Sequence, residues 1–357
     1  MRGKTRQINV GTVKVGGGAP VSIQSMCNTD TRDARATLRQ IEALAAAGCD
    51  IVRIAVPDMA AAEALREIKP RSPLPVVADI HFDYRLALAS VDAGADKIRI
   101  NPGNIGADKI KLVADACRGA GVPIRVGVNG GSLERDLRES LGVTPQALCQ
   151  SALRNIRMLE EHDFHDICVS IKLSNVNGTV QAYRMLAENC LYPLHLGVTE
   201  AGGEEMGTLK SAAAFGALLC DGIGDTVRVS LTADPVREVY AAKKILKALD
   251  MGRTGIDLVA CPTCGRTQID LIGIYGELER RLAAVKTPLR VAVMGCAVNG
   301  PGEAREADVG VACGVGEGLI FKKGEIVGKV PGDEIIEILL REIEKMTGEE
   351  ICRKEQN

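Results

Sequence analysis

The feature that most restricts the fold of this chain is a regular alternation between short apolar segments and longer helical patterns. Segments rich in Val, Ile and Leu predict eight strands, at about 20–26, 51–56, 75–80, 97–100, 123–128, 166–173, 193–199 and 226–231. Helical patterns predict eight helices, at about 31–47, 58–69, 83–93, 107–120, 144–162, 177–190, 207–220 and 234–249. Strands that are apolar on both faces and separated by helices are typical of a parallel sheet covered by helices.

Eight such units within residues 1–250 fit a closed (β/α)8 TIM barrel of the α/β class. An open doubly wound sheet is the alternative, because it also alternates strands and helices. A weak internal repeat supports the regular pattern, since AAGCDIVRI (46–54) and DAGADKIRI (92–100) occupy equivalent helix-to-strand junctions. Residues 8–18 predict a hairpin before the first strand, which would close the barrel floor.

Helix ends carry their own signals. Thr144-Pro145 and Asp234-Pro235 each read as an N-cap followed by a first-turn proline, and Gly48, Gly94 and Gly121 follow helices where a left-handed residue is preferred.

The regular alternation of strands and helices ends at about residue 250. The pattern there predicts a strand at 256–260, a helix at about 267–284, a strand at 289–294, a glycine-rich strand pair at about 308–330 and a helix at about 332–347. We therefore predict a small α+β domain over residues 251–357, joined to the barrel by a linker at 251–255.

Composition excludes several classes of protein. The 357 residues include 44 Lys and Arg against 46 Asp and Glu, a formal charge of −2 that argues against a general nucleic-acid binder. No stretch approaches the roughly 18 apolar residues of a membrane span, and the start, MRGKTRQINV, lacks the apolar region of a signal peptide. We expect a cytoplasmic protein without membrane or nucleic-acid partners, in which twelve cysteines do not form a disulfide framework.

Five of the predicted strands contain a single cation flanked by apolar residues. These cations are Arg53, Arg99, Arg125, Lys172 and Arg228. A charge inside a barrel needs a partner, because burying it alone costs several kcal/mol. One interpretation is structural ion pairing with carboxylates such as Asp79 or Glu200. The other is a polyanionic ligand, such as a diphosphate, at the C-terminal mouth where barrel active sites lie.

Polar residues fall at or just beyond the predicted strand ends, where they could bind hydroxyl or phosphate groups. They include Asp79, His81, Asn101, Asn129, Ser174, Thr199, Glu200 and Ser230. The alternative is that some of them only cap the following helices. Glu200 is the candidate acid or base, because a carboxylate among cations stays ionised.

The cysteines fall into two groups. Seven are scattered through the barrel and predict core packing: Cys27, Cys49, Cys117, Cys149, Cys168, Cys190 and Cys220. Cys261 and Cys264 instead form a CxxC after a predicted strand, and Cys296 follows another strand. CxxC at a strand end indicates a metal site.

The kind of centre stays open from spacing alone. Zinc would need a fourth ligand, for which Cys313 is available, and a redox dithiol would leave Cys296 unexplained. A [4Fe–4S] cluster on three cysteines could take an oxygen ligand, and the turn NGPGE (299–303) could bring Glu303 back toward it.

Six separated motifs resemble one family. SIQSMCNTDT (22–31), VADIHFDYRLAL (77–88), RINPGNIG (99–106), LGVTEAGG (196–203), ACPTCGRT (260–267) and GCAVNGPGE (295–303) closely resemble the bacterial 4-hydroxy-3-methylbut-2-enyl diphosphate synthases of the non-mevalonate isoprenoid pathway. The resemblance runs from the first strand to the last helix.

This resemblance implies a TIM barrel followed by a domain with a [4Fe–4S] cluster held by Cys261, Cys264, Cys296 and Glu303. It implies reductive ring opening of 2-C-methyl-D-erythritol 2,4-cyclodiphosphate, with two electrons from ferredoxin or flavodoxin. It makes the five cations diphosphate ligands and implies a homodimer in which one subunit's cluster domain covers the other's barrel.

The residues and the resemblance combine into one hypothesis. The five cations and Ser230 anchor the diphosphate, substrate oxygen displaces Glu303 at the cluster, and Glu200 transfers a proton or holds a hydroxyl. Asn299 is assigned as a further substrate contact. The competing class is a non-catalytic iron or redox sensor, or a zinc-stapled phosphate-binding barrel.

Overall fold

Local capping chemistry sets where the helices begin and end. Thr144 accepts a hydrogen bond from the backbone N–H of Ala147, and Asp234 accepts one from Val236, so both predicted N-caps are confirmed. Gly48 and Gly121 adopt the left-handed conformation that ends a helix, as the sequence predicts. The computed structural model describes residues 2–252, 255–296 and 306–351.

The chain divides into two compact units, Met1–Met251 and Gly252–Asn357. The strands of the first unit are β1 (Ile8–Val10), β2 (Val13–Val15), β3 (Ser22–Met26), β4 (Ile51–Ala55), β5 (Val76–Asp79), β6 (Lys97–Ile100), β7 (Ile124–Asn129), β8 (Ile167–Lys172), β9 (His195–Leu196) and β10 (Thr226–Val227). Its helices are α1 (Ala34–Ala47), α2 (Met59–Arg71), α3 (Tyr84–Asp92), α4 (Pro102–Ile105), α5 (Ala107–Ala120), α6 (Arg135–Leu141), α7 (Pro145–Glu160), α8 (Val176–Asn189), α9 (Glu204–Cys220) and α10 (Pro235–Ala248).

Strands β3 to β10 form a parallel barrel, which confirms the predicted (β/α)8 architecture. Their order in the sheet is β8-β7-β6-β5-β4-β3-β10-β9. A parallel bridge between Val169 and Leu194 joins β8 to the chain just before β9 and brings the two ends of the sheet together. The apolar residues that face the helices form one continuous core around the sheet.

The hairpin β1–β2 covers the N-terminal end of the barrel. Ile8, Val10 and Val15 pack in one buried cluster with Ile51, Val77 and Cys168, which lie near the starts of three barrel strands. This apolar plug closes the floor, so the interior opens at the other end, where the strands finish.

Several element lengths predicted from the sequence were wrong. Strands β9 and β10 span two residues each rather than 193–199 and 226–231, because the chain leaves the ladder early to form the loops of the mouth. Helices α4 and α6 were not predicted, since both are short and lie inside connecting segments.

The second unit has its own sheet and core. It contains β11 (Ile256–Ala260), α11 (Leu271–Leu282), β12 (Leu289–Met294), β13 (Val309–Gly314), β14 (Glu317–Lys322), β15 (Glu325–Pro331) and α12 (Ile335–Thr347). The strands follow one another across the sheet, with β11, β12 and β13 parallel and the last two antiparallel. The predicted strand pair at 308–330 is therefore three strands, because two tight turns rather than one interrupt it.

No helix in the described parts of the chain is both long and apolar enough to cross a membrane.

Candidate active site

The barrel interior brings all five predicted cations into one space. Arg53 and Arg99 lie on β4 and β6, Arg125 and Lys172 on β7 and β8, and Arg228 directly after β10. The pKa of Lys172 is lowered well below its ordinary value, first by burial and then by Arg228, Arg53, Arg125 and Arg99. Because four other cations lower the pKa of this lysine, all five charges must lie close together in the barrel interior.

Two glycines make room for these long side chains. A Cβ atom at Gly127 on β7 would lie 2.6 Å from Arg99 Nε, and one at Gly197 would lie 2.6 Å from Lys172 Nζ. Any other residue at these positions would compete with the cation of the neighbouring strand for the same volume.

Asp79, at the end of β5, is the counter-ion of two cations. Its carboxylate lies 3.1 Å from Arg99 Nη1 and 3.9 Å from Arg53 Nε, and His81 Nε2 lies 3.5 Å away. Burial alone would raise the pKa of Asp79, but Arg53, His81 and Arg99 outweigh it and lower the pKa. Asp79 is therefore ionised at neutral pH.

Arg228 is held by a carboxylate that sequence reasoning missed. Glu238, in the first turn of α10, accepts from Arg228 Nε and Nη2 at 3.2 Å each. The same carboxylate accepts from Ser25 Oγ and from the backbone N–H of Leu231, both at 3.1 Å. The sequence around Glu238 has the pattern of an ordinary amphipathic helix, so no sequence signal could have identified this role.

Arg125 and Lys172 have no carboxylate partner among the residues that the structure describes. Arg125 is 1% exposed, and its Nε and Nη1 atoms are buried without a hydrogen-bond partner. Burial lowers the pKa of Arg125 to about 10, and the charge of Arg99 adds to this effect. The ion-pair interpretation therefore holds for Arg53, Arg99 and Arg228 but not for these two residues.

The remaining polar candidates lie at the mouth with different degrees of burial. Asn101 is 4% exposed and its Oδ1 has no partner among the described residues, while Asn129, Thr199 and Ser230 are half-buried. Ser174 is exposed in the loop between β8 and α8. Asn101 precedes α4 but makes no side-chain capping bond, so the helix-cap interpretation does not explain it.

Glu200 lies in the loop after β9 and is exposed. Its backbone adopts φ of 54°, the left-handed region that non-glycine residues rarely occupy. Such backbone strain is concentrated at binding and catalytic sites. The conformation is consistent with Glu200 as a functional carboxylate, although the structure shows it in no ion pair with the five cations.

The barrel interior also contains polar residues that were not assigned a role. Lys97 and His195 are fully buried, and Lys97 Nζ and both His195 ring nitrogens lack hydrogen-bond partners among the described residues. A usable signal existed for Lys97, because it lies two residues before Arg99 and alternation along a strand places both on the same face.

In the second unit, the predicted cysteines lie at the ends of two neighbouring parallel strands. Cys261 follows β11 directly, and Cys296 comes two residues after β12. The register of these strands pairs Ala260 with Val293, and the backbone N–H of Gly295 donates to Cys261 Sγ at 3.2 Å. Cys264 is exposed beyond Cys261.

The donor chemistry of this strand edge fits a thiolate-ligated centre. The backbone N–H of Arg266 lowers the pKa of the Cys264 thiol, with further help from the side chains of Arg266 and Thr267. Among residues 2–252, 255–296 and 306–351, however, no three His, Cys, Asp or Glu side chains are gathered into a metal-binding group. Asn299 and Glu303 lie outside the described residues.

The other cysteines mostly pack in the interior. Cys27, Cys49, Cys117, Cys149 and Cys168 are buried, as expected for core residues. Cys190 is half-buried, and the prediction was wrong for Cys220, which is exposed because it ends α9 on the outer side. Cys313 is buried on β13, where burial followed by the nearby Cys261 raises the pKa of its thiol to about 12.

The comparisons with known proteins agree with this architecture. The family model described as "GcpE TIM-barrel domain" matches residues 5–243, and the model "GcpE protein C-terminal domain" matches residues 257–345. A solved structure of dihydropteroate synthase from Stenotrophomonas maltophilia covers 69% of this chain and 98% of its own, with a TM-score of 0.51 and 16% identity. That likeness shows the barrel fold alone.

Two curated relatives match over almost the whole chain. A protein of Geobacter sulfurreducens is 60% identical over 351 residues, covering 98% of this chain and 99% of the relative. A protein of Caldanaerobacter subterraneus subsp. tengcongensis is 54% identical over 352 residues, with the same coverage. Both are named 4-hydroxy-3-methylbut-2-en-1-yl diphosphate synthase (flavodoxin). The resemblance seen in the sequence motifs is confirmed: the chain belongs to the GcpE family of 4-hydroxy-3-methylbut-2-en-1-yl diphosphate synthases.

Proposed function

We propose that this chain opens the ring of 2-C-methyl-D-erythritol 2,4-cyclodiphosphate and reduces it to (E)-4-hydroxy-3-methylbut-2-enyl diphosphate. Written for the fully protonated acids, the substrate takes up two electrons and two protons, a C–O bond to phosphate breaks, and one oxygen leaves as water. The observation that carries the proposal is the excess of positive charge in the barrel. Among the described residues, only Asp79 and Glu238 form ion pairs with the five strand cations, in a chain 60% identical to a synthase.

The charge imbalance divides the cations into two roles. Arg53, Arg99 and Arg228 are oriented by Asp79 and Glu238 before any ligand arrives, so their guanidinium groups lose little entropy on binding. Arg125 and Lys172 bring charge that a dianionic diphosphate can neutralise. Guanidinium N–H groups suit phosphate oxygens because they can bind two at once.

The polar residues of the mouth would hold the rest of the substrate. We assign the hydroxyl and phosphate contacts to Asp79, His81, Asn101, Asn129, Ser174, Thr199, Ser230 and Asn299. The amide oxygen of Asn101, which has no hydrogen-bond partner among the described residues, supports this assignment, because a buried acceptor without a partner is costly unless a ligand satisfies it.

Glu200 is the proposed proton-transferring residue, or the residue that holds a substrate hydroxyl. Its support is its position after β9 and its left-handed backbone, which points to a functional constraint on this loop.

We propose that residues 1–250 bind the substrate and that residues 251–357 hold a [4Fe–4S] cluster on Cys261, Cys264, Cys296 and Glu303. The two strand ends and the lowered pKa of Cys264 support this ligand set. When bound, such a cluster would supply single electrons and a Lewis-acidic iron.

The proposed partners follow from the relatives and from the resemblance. The names of the relatives support flavodoxin as the electron donor, and ferredoxin is the other candidate. We further propose a homodimer in which the cluster domain of one subunit covers the barrel of the other, which would exclude water from the mouth. Twelve cysteines are compatible with the reducing cytoplasm, where we place the protein.

The test is turnover of the cyclodiphosphate by anaerobically purified protein with reduced flavodoxin. We expect formation of the linear allylic diphosphate, and release of inorganic phosphate or no product would contradict the proposal. Replacing flavodoxin with ferredoxin in the same assay identifies the donor.

A further inference from the structure

Lys97 is a buried lysine of the barrel that forms no ion pair among the described residues. It begins β6, it is fully buried, and its Nζ has no hydrogen-bond partner within the described parts of the chain. Of the two carboxylates that pair with the cations of the barrel, Asp79 binds Arg53 and Arg99, and Glu238 binds Arg228. Neither forms an ion pair with Lys97.

Along β6, Lys97 lies one inward-facing position nearer the floor of the barrel than Arg99. It pairs with Val77, which belongs to the apolar plug of the floor, whereas Arg99 pairs with Arg125. Side chains two residues apart on a strand share a face, so Lys97 and Arg99 both point into the barrel. Lys97 thus lies between the floor and the proposed diphosphate site.

The groups that act on Lys97 come from four other strands. They are Cys168 on β8, Arg125 on β7, Arg53 on β4 and His195 on β9. None of these carries a negative charge at neutral pH, since burial raises the pKa of Cys168 and lowers that of His195. Within this set only Cys168 favours the charged form of Lys97, and burial, Arg125 and Arg53 outweigh it.

We propose that Lys97 takes up a proton when the diphosphate enters the barrel, so that substrate binding is coupled to protonation of this buried lysine. The inference rests on the proposed function, because the bound ligand is the source of the negative charge. The ammonium then balances the diphosphate from below, while Arg125 and Lys172 balance it from the mouth.

The direction of the coupling follows from electrostatics. Burial lowers the pKa of Lys97 to about 8, Cys168 opposes the shift, and Arg125 and Arg53 add to it. A dianion nearby favours the charged form and returns the pKa toward the ordinary value of about 10. Proton uptake is then small at pH 7 and large above pH 8, and by linkage the affinity falls as pH rises above 8.

Calorimetry of the oxidised holoenzyme with the cyclodiphosphate, without a reductant, measures this uptake directly. Titrations in buffers of different ionisation enthalpy give the number of protons bound per ligand. Each phosphorus of the cyclic diphosphate carries one strongly acidic hydroxyl, so the ligand takes up no proton near neutral pH. Lys172 can contribute a proton of its own, and the difference between wild type and K97M isolates Lys97.

We expect wild type to take up about 0.7 more proton than K97M at pH 8.5, but only about 0.1 more at pH 7. Deprotonation of Lys97 should lower the affinity of wild type for the cyclodiphosphate about tenfold between pH 7 and pH 9. K97M should lack this part of the pH dependence. K97R should bind the ligand without this proton uptake and without this pH dependence. K14M, which removes an exposed lysine of the floor hairpin, should behave as wild type.

Equal proton uptake by wild type, K97M and K97R would overturn the role of Lys97 while leaving the proposed function intact. If the cyclodiphosphate does not bind to wild type at all, the proposed function fails and the inference fails with it. If K97M does not fold, the comparison of wild type with K97R gives the same proton count.

Discussion

Arg125 and Lys172 differ from the other three strand cations in having no carboxylate partner among the described residues. An unpaired buried charge destabilises the free protein, and a bound anion removes that penalty. These two residues therefore lower the stability of the ligand-free protein and raise its affinity for an anionic ligand.

Replacing Arg125 with methionine should show this exchange. The variant removes a buried charge while keeping apolar volume, so we expect the free energy of unfolding of the empty protein to rise by about 1–3 kcal/mol. Binding of the cyclodiphosphate should weaken by roughly 2–5 kcal/mol. Urea denaturation and calorimetry measure the two effects, with R39M on the exposed face of α1 as the control. A loss of affinity below about tenfold, or about 1.4 kcal/mol, would reduce Arg125 to a structural residue.

Asp79→Asn tests the counter-ion of Arg53 and Arg99. The folded pKa of Asp79 is lowered, so its contribution is complete above the unfolded pKa of about 3.9 and is lost as pH falls below it. We expect a destabilisation of about 2–4 kcal/mol that is constant between pH 7 and 5 and shrinks below pH 4. Urea denaturation across this range measures it, with exposed Asp108→Asn, expected within about 0.5 kcal/mol of wild type, as control. A difference independent of pH would contradict the ion-pair assignment.

The elements of the barrel fix these side chains through contacts across strands. Glu238 links α10 to β3 through Ser25 and to the loop after β10 through Arg228 and Leu231. Gly127 on β7 leaves space for Arg99 on β6. Arg99 and Arg228 therefore owe their positions to adjacent elements as well as to their own strands.

Gly127→Ala is a test at this scale. The new Cβ would lie 2.6 Å from Arg99 Nε, so the guanidinium must move away from Asp79. We expect at least about tenfold weaker binding, the equivalent of roughly 1.4 kcal/mol, in a protein that still folds. Gly119→Ala in α5 meets nothing within 4 Å and serves as control; we expect unchanged binding and stability higher by about 0.5–1 kcal/mol. Equal binding by the two alanine variants would show that Arg99 does not require this space.

At the scale of the whole molecule, the chemistry is divided between two units with separate cores. The barrel gathers positive charge, and the second unit places cysteines at the ends of neighbouring strands. The overall composition does not reveal this division, because the net charge is only −2 and most of the described cysteines are buried.

Removal of single cysteines tests the proposed centre. Cys261→Ser, Cys264→Ser and Cys296→Ser should each lose most of the iron and sulfide found in anaerobic wild type, which we expect at about four of each per chain. Cys220→Ser, an exposed cysteine of α9, should retain both. Metal and sulfide analysis with visible absorbance measures the outcome. Zinc without sulfide in wild type would contradict the proposed cluster.

Much of the fold could be predicted because helix and strand patterns depend on neighbours in the chain. Caps such as Thr144 and Asp234 act within three residues, so their sequence signals were reliable. The lengths of β9 and β10 were wrong because the end of a strand depends on partners distant in sequence. The five cations could also be recognised, since each is flanked by apolar residues in the sequence.

The sequence by itself determined the alternation that closes into a barrel, the strand cations and the CxxC that follows β11. Only the tertiary structure decided which charges are paired. Asp79 pairs with Arg53 and Arg99, and Glu238 pairs with Arg228. Arg125, Lys172 and Lys97, the last of which sequence reasoning overlooked, form no ion pair within the described parts of the chain. The physical reason is that ion pairing falls steeply with distance, and distances across a barrel depend on strand order and register rather than on spacing along the chain.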